Sequence, residues 1–148
     1  MQAIGTWKGG YESVLEDGRA HSVVVDLPVN EGGHSAGTSA LELCVLSLAG
    51  CMITIFALVA HKRRLAYQGM MVALEAERPA GAATITRVRG TARIRTRADP
   101  AEVDSALRLT LKTCPVGVLF ERAQIPVDVQ LIVNPPGSGS PAFETTAP

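Results

Sequence analysis

Net charge is the first thing this 148-residue chain lacks: Lys and Arg number 14, and so do Asp and Glu. That balance removes the global signature of a binder of nucleic acid or of an acidic membrane surface. Aromatic residues make up only 4%, so the core has to be built from Val, Leu, Ile and Ala. The three histidines, His21, His34 and His61, have no metal-ligand spacing, and the three cysteines form neither a CxxC redox motif nor a usual zinc pattern. The N-terminal MQAIGTWKGG has no charged start leading into an apolar run, so no signal peptide is expected. With an odd cysteine count, this points to a reducing cytoplasm, where cysteines are reactive or simply buried rather than bridged.

What the chain does have is one long apolar run. Leu43–Ala60 carries no charge and is followed by His61-Lys62-Arg63-Arg64. Length and flank satisfy the criteria for a membrane span. Against a span stand Cys44, Ser47, Gly50, Cys51 and Thr54 within the run, and strand-like segments on both sides that need a core to cover them. A helix apolar all round can equally be the centre of a globular fold, and that reading is preferred. Ser39 followed by Glu42 fits a capping box at its start, and the basic cluster suits its C-terminal end.

The length suggests one domain over residues 1–134. Ala3–Lys8 reads as a strand, and Tyr11–Glu16 and Ala20–Leu27 as a hairpin about Asp17-Gly18. Residues 28–37 read as a loop, with His34 inside it as a loop residue. Gln68–Glu77 and Ala82–Arg97 read as a second hairpin. Its later strand places Arg87, Arg89, Arg93, Arg95 and Arg97 on one face. Without net charge or interleaved aromatics, that face reads as a solvated exterior partly neutralised by Glu75 and Glu77, rather than as a nucleic-acid stripe. Asp99-Pro100-Ala101-Glu102 opens another helix. Val103, Ala106, Leu107, Thr110, Leu111 and Cys114 share one of its faces. Pro115 breaks it, Val116–Arg122 forms a further helical turn, and Ile125–Val133 a last strand. Residues 135–148 read as a disordered Pro/Gly/Ser/Thr tail.

Cys51 in mid-helix and Cys114 on the inner face of a second helix suit a reactive thiol and a resolving thiol. They equally suit two small buried hydrophobes. Cys44 lies seven residues before Cys51, about 10 Å along a straight helix, which is too far for a bridge; it reads as core packing. Cys114, just before a proline that can start a helix, gains thiolate stabilisation from that helix N-terminus. Cys51 lies in an uncharged stretch, where desolvation opposes ionisation unless a cation is delivered from elsewhere.

Gly32-Gly33, Gly37, Leu41-Glu42-Leu43 and Gly50-Cys51, with the later Lys112-Thr113-Cys114-Pro115-Val116, resemble the motifs of the OsmC/Ohr family, and the order of elements over roughly residues 3–133 matches. The resemblance implies an α+β fold: an intertwined homodimer in which antiparallel sheets wrap around two central cysteine-bearing helices. It implies a thiol peroxidase that reduces organic hydroperoxides in oxidative-stress defence, with Cys51 peroxidatic and Cys114 resolving. It implies thiol reductants, among them dihydrolipoyl groups, and a buried helix rather than a membrane partner; no cofactor and no nucleic-acid partner are expected. The chain departs from the hydroperoxide-resistance branch where that branch carries an activating Arg/Glu pair: Tyr11 and Leu41 stand at those positions. Glu42 is a neighbour on the opposite side of the helix from Cys51. Arg19, Arg63, Arg64 or an arginine of a second subunit are candidate replacements. The departure motivates an alternative, a non-catalytic protein of the same fold that binds a small apolar ligand or senses redox state.

Overall fold

Short apolar stretches between glycine-rich turns make the N-terminal strands, seen in a computed structural model that describes residues 1–135. The expected tail lies, apart from Pro135, outside the described residues. The strands β1 (Ile4–Gly9), β2 (Glu12–Glu16) and β3 (Ser22–Val25) pair antiparallel in that order. The β2–β3 turn is more than a two-residue hairpin. Asp17 Oδ1 accepts from the amides of Arg19 and His21, and Gly18 and Ala20 both take positive φ. Residues 1–46 form one compact unit and residues 47 onward another.

In the first unit, the loop after β3 holds a short 3-10 turn, Val29–Glu31, and folds back on the strand. A Cβ on Gly33 would collide with the Leu27 carbonyl, and one on Gly37 with the Val24 carbonyl. These two positions of the glycine motif are therefore demanded by close backbone approach. The loop is tied down by Asp26, which is 1% exposed. Its carboxylate accepts from the amides of Leu27 (2.8 Å), His34 (2.9 Å) and Ala36 (3.1 Å). The amides of Ala36 and then His34 hold that carboxyl below its ordinary value. Helix α1 (Ala40–Arg63) starts on the expected capping box. The Ser39 amide donates to Glu42 Oε2 at 2.7 Å, and the Glu42 amide donates to Ser39 Oγ at 3.3 Å. The Ser39 contacts lower the Glu42 pKa.

In the second unit, α1 buries Leu48, Met52, Phe56, Val59 and Ala60, a stripe at helical spacing. Phe56 meets Tyr67 edge-on, ring centroids 5.4 Å apart. The core also takes Ala92, Ile94, Val103, Ala106 and Leu107. The sheet has order β4 (Gly69–Glu77), β5 (Arg87–Arg95), β6 (Val127–Asn134). The β4–β5 pair is antiparallel as expected; the β5–β6 pair is parallel. The strand expected from Ala82 begins only at Arg87. The Thr86 amide and hydroxyl both donate to the Glu77 carbonyl, and Ile85 is tucked in at 4% exposure, so residues 78–86 close as a longer loop. The arginine face is partly neutralised by Glu77, which meets Arg89 at 3.3 Å, and also by Asp128 on β6, which meets Arg87 at 2.6 Å. Helices α2 (Pro100–Thr113) and α3 (Pro115–Arg122) follow, α2 capped by the Asp99 carboxylate on the Ala101 amide at 2.9 Å.

Candidate active site

The apolar stripe of α2 carries its helical spacing one residue past the helix end, and this fixes the place of Cys114. Val103, Ala106, Leu107 and Thr110 are buried on that face, and Cys114 continues it at 0% exposure. Pro115 cannot supply the next backbone donor, so the chain turns at Cys114 into an extended conformation and restarts as α3. The result is a residue shared by two helices. Its amide donates to the Thr110 carbonyl at 2.8 Å, ending α2. Its sulfur accepts from the Gly117 amide at 3.4 Å, starting α3. The helix N-terminus expected to favour a Cys114 thiolate is therefore present.

Cys51 reaches the same place from α1. It stands at the flank of the buried stripe, about 60° round the helix from Leu48, and is half-buried. The Cys51 thiol is close enough to Cys114 to act on its ionisation. Burial pushes the Cys114 thiol above its ordinary value, and contact with Cys51 pushes it further; the Gly117 and Val116 amides oppose the shift without reversing it. Cys114 is thus buried and slow to ionise, whereas Cys51 is the partly accessible member of the pair.

Cys44 does not join them. It is exposed, contrary to its expected role as core packing. It shares with Cys51 and Leu58 a strip seven residues apart along α1, and Leu58 is exposed as well. The candidate arginines have other places. Arg19 is held by Asp17 at 2.9 Å. Arg63 and Arg64 lie at the far end of α1, about 18 Å along the axis from Cys51, where Arg63 donates to Ser105 Oγ at 2.9 Å. Tyr11 is exposed and Leu41 half-buried in the first unit. His34 contributes its backbone amide to Asp26, as a loop residue does. Among the described residues, no group of three or more His, Cys, Asp or Glu is placed to hold a metal ion.

A cavity of about 610 Å³ opens beside the pair, with Cys114 and Gly117 in its wall. Leu48, Met52, Leu111 and Ile125 make its apolar lining. Arg108 and Lys112 from α2 and Glu121 from α3 supply its charges. Sequence reading missed these three, because an exposed charge at i, i+4 on a helix looks like any solvated face. It also missed Asp26. The available signal was an acid closing a run of valines just before a loop rich in backbone donors, where a buried carboxylate is the natural acceptor.

An α+β fold that brings two thiols together from separate helices defines a class of cysteine-bearing domains. The chain belongs to the OsmC-like family: the family model described as OsmC-like protein matches residues 32–130. Among solved structures, it is similar to an OsmC-like protein from Mycoplasma pneumoniae, with 13% identity, a TM-score of 0.80, and coverage of 89% of this chain and 95% of that one. An organic hydroperoxide resistance protein OsmC from Legionella pneumophila is 18% identical with a TM-score of 0.71, covering 88% of this chain and 96% of that one. An organic hydroperoxide resistance protein from Elizabethkingia anophelis is 17% identical with a TM-score of 0.73, covering 90% and 97%. Likenesses at these identities show the fold. Among curated proteins none matches significantly.

Proposed function

We propose that the protein is a thiol peroxidase for organic hydroperoxides, with Cys51 as peroxidatic and Cys114 as resolving cysteine. The observation that carries this reading is the thiol–thiol neighbourhood of two cysteines on separate helices, one partly accessible and one buried with a raised pKa. The Cys51 thiolate attacks one peroxide oxygen. The O–O bond breaks, Cys51 becomes a sulfenic acid, and the alcohol leaves with a proton. The Cys114 sulfur then attacks the sulfenic sulfur, water leaves, and a disulfide forms. A two-electron thiol reductant, of the kind dihydrolipoyl groups provide, reopens it. Such a pair works where it is kept reduced, as in a reducing cytoplasm. Names of similar structures that mention organic hydroperoxide resistance support the same reading.

The working unit is a homodimer. The α1 flank beside Ala60 leaves Leu46 57% and Ile53 39% exposed, and the helix is long and apolar enough to cross a membrane. A second copy covering that face would bury it without a bilayer, and a cationic side chain of the second subunit is the candidate source of charge for Cys51. One observation favours the alternative of a non-catalytic binding or redox-sensing protein: Tyr11 and Leu41 stand where an activating pair is expected.

The test is consumption of cumene hydroperoxide with a dithiol reductant. Wild type turns over, Cys51→Ser is inactive, and Cys114→Ser is over-oxidised at Cys51. Undiminished turnover in Cys51→Ser refutes the assignment. A wild type inert to hydroperoxide, with both thiols reduced and intact, favours the binding alternative.

A further inference from the structure

The cavity beside the thiol pair has a property the peroxide chemistry does not use: its wall includes Cys114 but not Cys51. Leu48 and Met52, the α1 residues three before and one after Cys51, line it instead. Cys114 itself is 0% exposed. Gly117 has no side chain there, and even its Cβ would come 3.6 Å from Cys114 Sγ. The charges are unequal across the opening. Arg108 and Lys112 lie one turn apart on α2, facing only Glu121 from α3. Arg108 also holds Asp104 at 2.7 Å, which leaves Lys112 as the cavity cation with no ion pair among the described residues.

We infer that this cavity is a separate reductant site, which admits a small thiol bearing a carboxylate and delivers it to Cys114 while Cys51 faces the hydroperoxide elsewhere. The inference rests on the disulfide-forming pair of the proposed function. The incoming thiolate bonds to Cys114 Sγ and the Cys114–Cys51 bond breaks; Cys51 departs as a thiolate, the form needed for the next peroxide. A second equivalent of the same thiol then attacks the mixed disulfide. It leaves as the small-molecule disulfide, and Cys114 recovers its proton from water. Two thiols are oxidised and one protein disulfide is reduced. The carboxylate pairs with Lys112 and Arg108 while the carbon chain lies against Leu48 and Leu111.

Treatment of the full-length protein with diamide forms the disulfide independently of any peroxidase activity, and loss of two hydrogens by mass confirms it. Reopening is then timed with 3-mercaptopropionate, 2-mercaptoethanol and cysteamine at equal thiolate concentration. The carboxylate thiol should react roughly tenfold faster than the ammonium thiol, the scale of one to two partly screened charge contacts, and the ratio should shrink as salt rises. Lys112→Glu should abolish or invert the ratio, which is internal to each variant and so independent of its stability. The first mixed disulfide, quenched in acid and mapped by mass spectrometry, should sit on Cys114. Equal rates, a ratio untouched by Lys112→Glu, an adduct on Cys51, or no diamide-induced disulfide overturns the inference. An intact thiol preference in a protein that consumes no hydroperoxide supports the site and removes only the peroxidase reading.

Discussion

Truncating Leu48 to alanine tests whether the space beside Cys114 is an open cavity or core. Leu48 is 1% exposed and Phe56, two turns further along the same stripe, is 0% exposed, so burial alone predicts similar penalties. Their surroundings differ. Phe56 belongs to the sealed cluster with Ala92, Ile94, Val103 and Leu107, whereas Leu48 lines the cavity of about 610 Å³. Leu48→Ala removes three carbons, about 2.4 kcal/mol at ~0.8 kcal/mol per buried CH₂. The vacated volume merges with space that solvent already enters, so the added penalty of about 24 cal/mol per Å³ of sealed void is small. The total should be about 2–3 kcal/mol. Phe56→Ala leaves a sealed void and loses the edge-on contact with Tyr67, and should cost about 4–5 kcal/mol. Urea unfolding of the reduced proteins at one fixed protomer concentration measures both. A Leu48→Ala penalty equal to that of Phe56→Ala would refute the reasoning, because the cavity would then be closed and filled in solution.

Two further outcomes are expected. The Cys114 pKa is raised by burial, so its contribution to stability is fully present below the ordinary thiol range, about pH 8.5, and is lost as pH rises through the higher folded value. The urea midpoint of reduced wild type should therefore fall on the alkaline side of that range more steeply than that of Cys114→Ala, and parallel curves would contradict the assignment. Gly37→Ala drives a methyl into the Val24 carbonyl, where backbone has no room to yield; it should cost about 2 kcal/mol or more, and an unchanged unfolding midpoint would show that the loop does not fold back on β3.

Much of this architecture can be read directly from residue patterns, and the failures share a cause. Local signals worked: the Ser39/Glu42 box, the Asp99-Pro100 start, the period of Val103 to Thr110 and the break at Pro115 each depend on neighbours within a turn. Alternating charge placed the arginines of β5 on one face for the same reason. What stayed hidden depends on partners far along the chain. The parallel pairing of β6 with β5, and the Asp128 contact with Arg87 that follows from it, are set by where α2 and α3 deliver the chain. The exposure of Cys44 escaped notice because α1 is apolar all round, so periodicity cannot say which side meets the sheet. At the site, Cys51 and Cys114 were identifiable as a pair, but the charged mouth of the cavity was not, since α2 and α3 contribute to it separately.

The sulfur of Cys114 doubles as a structural acceptor, and this makes the site observable without touching it. The Gly117 amide points at that atom from 3.4 Å. Whether the sulfur is a thiol, a thiolate or half of a disulfide changes the field at one backbone proton. A single peak in a nitrogen–proton correlation spectrum would thus act as a voltmeter wired to the site, following each turnover in the intact protein while leaving both cysteines free to react.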